Sequence, residues 1–267
     1  YNVARAKGGC GLVILSMVAH DRLRTVWPNI APPEHISAFQ VLTNAVHAAG
    51  AKVFGEPWHF WSQPGYWNPF SPPAPALGPS PAQFAFHGRG WATREMGLDD
   101  IKAMQATYRT NAAHLREAGF DGIMVHLSHA SIMEQFNSPY FNRRTDDYGG
   151  TFEKRMRFVL ETLEAVQEGA AGKIAVGIRM NCDEMVKGGY NTEGAHAILK
   201  RIADSGLIDF ADLDVAREPD QFWIGMPGVF VEEHVYKPFA EAVRDAAGNV
   251  PVMCVMGRVT KMADAEA

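Results

Sequence analysis

His126 and His129 stand three residues apart where a short apolar run, Gly122 to His126, gives way to a polar loop. Imidazoles at the end of a buried strand can carry a proton near neutral pH, or steady negative charge as it develops on a substrate oxygen. The same spacing is equally met by one buried, hydrogen-bonded histidine beside one exposed histidine. Arg179 ends a second apolar run, Ile174 to Arg179, and puts a permanent cation at the same kind of position. As a surface residue it would instead pair with Asp183 or Glu184. Glu56 follows a third run, Ala51 to Gly55, and offers a carboxylate there, unless it faces water. Strand ends are where a barrel enzyme gathers its chemistry.

The elements that must position these residues can be followed along the chain. Tyr1 to Lys7 reads as a helix end, Gly8-Gly9 as its stop and Gly11 to Leu15 as a buried strand. Residues 34–49 repeat Ile36, Phe39, Leu42, Val46 and Ala49 at helical period, with Gly50 beyond the end. After the strand at Ala51 to Gly55, a Pro-, Gly- and aromatic-rich excursion runs from Glu56 to about Met96, long enough to predict a lid or rim over a site. A helix from Leu98 to Ala118 leads into the histidine strand. A second helix, from Thr151 to about Glu168, leads into the arginine strand. Thr192 opens a helix to Ser205, residues 210–215 form a strand, residues 231–247 a helix and residues 250–255 a last strand. Thr260 begins one more helix.

Strand and helix thus alternate six times with short helix-to-strand turns, the pattern of a parallel α/β architecture. A doubly wound sheet would alternate in the same way but would want a glycine-rich turn after a strand, and Gly8-Gly9-Cys10-Gly11 precedes its strand. A closed barrel takes eight strands. Six strands therefore predict one unit before Tyr1 and about one after Ala267, so the chain reads as part of a longer frame.

A length of 267 residues suits one barrel domain, for which roughly 250 is typical. The formal charge of −5 argues against a nucleic-acid groove, which needs a clustered basic face. No apolar run is long enough to cross a membrane, and the first residues lack the apolar core of a signal peptide. Cys10, Cys182 and Cys254 are isolated and odd in number, so they form neither a disulfide framework nor a metal motif. A reducing, cytoplasmic setting is expected. Oligomeric state is left open.

One stretch is more specific than these patterns. His126-x-x-His129, Gln135-Phe136, Ser138-Pro139, Asn142-Arg143-Arg144-Thr145-Asp146, Tyr148-Gly149-Gly150 and Glu153-x-Arg155-x-Arg157-Phe158 resemble the signature of the Old Yellow Enzyme family. These are FMN-dependent (β/α)8 TIM-barrel oxidoreductases. The branch most resembled holds 2,4-dienoyl-CoA reductase, trimethylamine dehydrogenase and related NADH:flavin oxidoreductases. The resemblance implies a single FMN-binding barrel domain over 1–267, truncated at both ends, with 56–97 as its lid or rim. It also implies NAD(P)H as electron donor and a small organic substrate. The iron-sulfur cysteines of the larger members lie beyond the barrel, so no such cluster is expected in this chain.

Residue by residue, the resemblance places Arg179 beside the N1/O2 edge of the flavin, where its charge would stabilise the anionic reduced ring. Glu56 stands where most members have glutamine. A carboxylate can accept from flavin N3–H but cannot donate to a ring oxygen. Gly257 and Arg258 match a Gly-Arg pair that binds the FMN phosphate. Met17, or its neighbour, stands where the family packs a small residue under the flavin, which is a departure. His126 and His129 match the pair that hydrogen-bonds the substrate oxygen. Ser131 takes the place of a proton-donating tyrosine, and an aliphatic hydroxyl is far less acidic than a phenol. Protonation then falls to Tyr66, Tyr190 or water, or the reaction is not a standard ene reduction. His59, Trp61 and Tyr66 belong to an aromatic-rich segment that could line the substrate side, stacking on a flat substrate or holding a cationic amine. Burial of the loop against the barrel rim would explain those aromatics equally well.

The first functional expectation is hydride transfer between NAD(P)H and an activated alkene through the flavin. Glu56 and Ser131 lean mildly toward the alternative, an amine dehydrogenase or demethylase of the trimethylamine dehydrogenase type. A flavin-free barrel would be a third case. Its Schiff-base form is disfavoured, because Lys187 and Lys261 do not end strands. A non-catalytic remnant is the last.

Overall fold

The six sequence-predicted strand runs pair edge to edge in a computed structural model, which describes residues 1–18, 28–59, 76–86, 89–215 and 227–266. In chain order its elements are α1 (Asn2–Lys7), β1 (Leu12–Val18), α2 (Ile36–Ala48), β2 (Lys52–Trp58), β3 (Ala76–Gly78), β4 (Ala82–Phe86), β5 (Arg89–Glu95), α3 (Leu98–Glu117), β6 (Gly122–Leu127) and α4 (Ile132–Asn137). There follow α5 (Phe152–Ala170), β7 (Ala175–Asn181), α6 (Thr192–Ala203), β8 (Phe210–Asp214), α7 (Lys237–Val243), β9 (Val252–Cys254) and α8 (Met262–Glu266). One sheet runs β1-β2-β6-β7-β8-β9 with every pair parallel. Helices alternate with its strands, giving the curled part-barrel of a TIM-type fold. Among the described residues no helix is long and apolar enough to cross a membrane.

Register decides which side chains share a face. His126 pairs with Arg179, and Arg179 pairs with Asp212. Side chains alternate along a strand, so Asp214, two residues beyond Asp212, points the same way. Below this polar layer the rings of Phe54 and Phe210 meet at 5.0 Å between centroids. They fit because two neighbours have no side chain. A Cβ on Gly122 would lie 2.7 Å from the Phe54 ring, and one on Gly177 would overlap the ring of Phe210. An apolar floor therefore underlies the strand ends.

The helices pack on the opposite side. Along α3, Ile101, Met104, Tyr108, Ala112 and Leu115 are buried at helical spacing. Gly119, at φ 80°, turns the chain out of that helix and toward β6. Helix α5 lies close against α3 at Gly169, where a Cβ would meet the Arg109 carbonyl and sit 2.9 Å from the Ala112 Cβ.

Two regions differ from the sequence expectation. The helix expected over 231–247 is only α7 followed by a 3-10 turn, Arg244–Ala247. Pro238 fits only the first turn of a helix, and His234 at φ 59° breaks the backbone before it. The 56–97 excursion is more than a loop: β4 pairs antiparallel and β3 parallel with β5 in a small separate sheet. Arg144 fastens that sheet to the histidine loop, donating to the carbonyls of Pro79 and Met96 at 3.0 and 2.7 Å.

Candidate active site

Glu56, His126, His129, Arg179, Asp212 and Asp214 come from β2, β6, β7, β8 and the loop after β6, and they meet at the C-terminal ends of those strands. The contacts run around a ring. His126 Nδ1 lies 2.8 Å from Glu56 Oε1. Glu56 Oε1 is 3.7 Å from a terminal nitrogen of Arg179. Arg179 Nε donates to Asp214 Oδ2 at 3.0 Å, a second guanidinium nitrogen reaches the same oxygen, and Asp212 Oδ2 lies 3.6 Å from Nε. His129 Nε2 sits 3.1 Å from Asp214 Oδ2. The two imidazole centroids are 5.4 Å apart. Arg179 is therefore an interior cation serving three carboxylates, rather than a surface residue paired with Asp183 or Glu184.

Burial sets the electrostatics. It pushes the His126 imidazole down, so the neutral ring keeps Nδ1–H directed at Glu56. Burial alone would raise Glu56, but the His126 hydrogen bond and the Arg179 charge hold it below its ordinary value. Asp214 is likewise buried, yet His129 and Arg179 keep it well below the usual carboxylate range. Asp212 has Arg179 on one side and the charges of Asp214 and Glu56 on the other, and burial pushes it up to about 6. Each imidazole thus has a carboxylate behind it, which fixes one ring nitrogen and would stabilise the ring if it gained a proton.

The loop after β6 is under backbone strain. His129 and Ala130 have φ of 55° and 57°, the left-handed region that favours glycine. Ser131 follows as N-cap of α4. It is fully buried, and its hydroxyl donates to the His126 carbonyl at 2.8 Å. Its oxygen is used to fix the strand end. Next in α4, Glu134 accepts from Ala130 N–H at 2.5 Å, from Asn181 Nδ2 at 2.5 Å and from Tyr190 Oη at 2.7 Å. Tyr190 is therefore committed to Glu134.

Other sequence candidates lie elsewhere. Met17 is buried on the helix-facing side of β1, its methyl close to Gly55 and Leu115, while Ser16 is paired with Glu56. His59 is buried, and its carbonyl accepts from Ile132 N–H at 3.0 Å, next to the histidine loop. Trp61 and Tyr66 lie outside the described residues. Gly257, at φ 61°, leaves only 2.9 Å between a Cβ and Val235, and Arg258 donates to the Val231 carbonyl. These two belong to the end of β9 and its own contacts. One group with metal-ligand geometry occurs among the described residues: Glu233, His234 and Asp264, within 4.8 Å of one another. It is empty.

Sequence reading missed Asp212 and Asp214, although the signal was present. Two acids at i and i+2 in the buried run Phe-Ala-Asp-Leu-Asp must share one face of a strand. A buried acid pair needs a cation, and Arg179 is the neighbour across the register.

A part-barrel with acids, imidazoles and a guanidinium gathered at its strand ends has the arrangement in which α/β-barrel enzymes place their chemistry. Residues 1–255 match the family described as NADH:flavin oxidoreductase / NADH oxidase. The chain belongs to that family, the one its histidine segment resembles. It is 35% identical over 215 residues to an NADH oxidase of Thermoanaerobacter brockii, covering 78% of this chain and 32% of that protein. It is 35% identical over 219 residues to an N,N-dimethylglycine/sarcosine dehydrogenase of Chromohalobacter salexigens, covering 79% and 30%. Among solved structures, 6-hydroxypseudooxynicotine amine oxidase from Pseudomonas geniculata N1 superposes with TM-score 0.84 at 28% identity, covering 100% of this chain and 39% of that one. The chain thus spans about a third of the length of these two curated relatives.

Proposed function

We propose that the chain forms the flavin-binding barrel of an FMN-dependent oxidoreductase of Old Yellow Enzyme type. It would pass hydride between NAD(P)H and a small organic substrate such as an activated alkene. One observation carries this reading: half-buried His129 and Arg179 converge with buried His126, Glu56 and Asp214 in a single cluster above an apolar floor. The donor set fits the edge of an isoalloxazine, with a guanidinium for its electron-rich side and a carboxylate able to accept from a ring N–H. FMN, when bound, supplies the hydride exchange with donor and acceptor.

The chain's own residues bind, orient and manage protons. Arg179 supplies the cation, and its carboxylate neighbours hold it at the strand ends. Glu56 orients His126 and Asp214 orients His129, and the Ser128 hydroxyl lies between the rings, 3.4 Å from His126 Nε2 and 3.5 Å from His129 Nδ1. As an imidazolium, either ring can steady an oxygen that gains negative charge. Ser131 supplies no proton in this reading, because its hydroxyl is spent on the His126 carbonyl. The small β3-β5-β4 sheet, fastened through Arg144, is read as part of the rim, with His59, Trp61 and Tyr66 on the substrate side. Gly257 and Arg258 are assigned to the phosphate end. The setting is read as cytoplasmic and the oligomeric state is unassigned.

The test is anaerobic reconstitution with FMN. NADH or NADPH should bleach the flavin's visible absorption, and an activated alkene should restore it. No bleaching by either nucleotide, or bleaching by a small amine alone, would overturn the reading.

A further inference from the structure

Two successive non-glycine residues in the left-handed region, His129 and Ala130, place one of the two site imidazoles. Such a conformation persists only where its surroundings enforce it. The Ala130 peptide is gripped at both ends. Its N–H donates to Glu134 Oε2 at 2.5 Å, and its carbonyl accepts from Gln135 Nε2 at 2.7 Å. Glu134 is completely buried, and its other oxygen takes hydrogen bonds from Asn181 and Tyr190. Asn181 ends β7, the strand that carries Arg179, and pairs in register with Asp214. Glu134 therefore ties the left-handed turn to the strand beside the partner of His129. Glu134 also acts on His129 through its charge, so the Ala130→Gly substitution is needed to isolate the backbone clamp.

We propose that Glu134 is a positioning residue: its carboxylate locks the turn at His129–Ala130 and so sets the His129 imidazole against Asp214. The proposal rests on the reading of His129 as a substrate-side group, but its geometry can be tested without turnover. A glycine at position 130 would relieve the strain that the carboxylate now opposes. That distinguishes a clamp on the turn from general support of the core.

The experiment compares wild type, Glu134→Gln, Glu134→Ala and each of these combined with Ala130→Gly. The readouts are kcat, KM and the ring NMR signals of His126 and His129 across pH. Glu134→Ala should lower kcat by about 100-fold, as expected when a reacting group is displaced by about 1 Å. It should shift the His129 ring titration and leave that of His126 in place. Ala130→Gly should restore about tenfold of the lost turnover and return the His129 signals toward wild type. If Glu134→Ala does not fold, Glu134→Gln, which keeps the shape but gives up one acceptor, should show the same changes at smaller amplitude. Unchanged His129 signals in the folded variant, or a loss that Ala130→Gly leaves untouched, would overturn the proposal. Normal His129 coupling to Glu134 in a chain with no turnover would uphold it and count against the catalytic reading alone.

Discussion

Asp212 and Asp214 occupy the same face of one strand yet titrate in opposite directions, and each direction has a consequence for stability. Asp212 is pushed from an ordinary 3.8 up to about 6 in the fold. Its contribution to stability is complete below the unfolded value and is lost as pH rises through 6, so at neutral pH its charge costs about 3 kcal/mol. Asp212→Asn should therefore raise the melting temperature of the FMN-free protein by about 5–10 °C at pH 7.5, with little change at pH 4. Melting curves at the two pH values check this. A variant that melts lower at both would mean that Asp212 is held charged by Arg179. Asp214 has the opposite sign: its folded value is depressed, so its contribution is present at neutral pH and lost on acidification. For catalysis, His129→Ala should lower kcat about 100-fold or more with unchanged FMN affinity, the usual scale for one lost oxyanion donor. Equal loss of FMN binding would move His129 from the substrate side to the cofactor side. At this scale the sequence singled out His126, Arg179 and Glu56 because each stands at the end of a recognisable apolar run, and His129 because it follows His126 by three residues. Ser131, Met17 and Glu134 were not legible. Their roles depend on where a hydroxyl, a thioether or a carboxyl points, and no periodicity carries that.

Among the elements, the contact between α3 and α5 gives the clearest test. Replacing glycine by alanine inside an exposed helix stabilises it by about 1 kcal/mol. At Gly169 the sign should reverse, because the added methyl would run into the Arg109 backbone and the Ala112 side chain. Gly169→Ala should cost roughly 1–3 kcal/mol by the usual penalty for overpacking, read as a lower urea midpoint with unchanged slope. A raised midpoint would show that the two helices separate freely. The β/α alternation was legible because parallel strands buried on both faces read as continuous apolar runs bounded by glycine turns. The sheet inside 56–97 was not. Its short strands, Ala76–Gly78 and Ala82–Phe86, lie in a Pro- and Gly-rich segment whose composition signals loop. The 231–247 helix was overcalled because apolar spacing does not register the conformation of His234.

The whole molecule combines membership of a flavin-oxidoreductase family with a polar ring in which acids outnumber cations. Arg179 is its only permanent cation and faces Glu56, Asp212 and Asp214 together. Removing it should be costly for the fold, about 3–5 kcal/mol for a buried pair broken on one side. Cofactor binding to the native state alone should stabilise the chain by about 2.7 kcal/mol at a hundredfold excess over Kd. The most direct measurement is an FMN titration followed by flavin fluorescence, run on wild type, His129→Ala and Arg179→Lys, which keeps the charge but loses the planar fork. The account predicts saturation at one FMN per chain for wild type and His129→Ala, with affinity at least about tenfold weaker for Arg179→Lys. No saturable binding to wild type, or equal affinity in all three proteins, would contradict it.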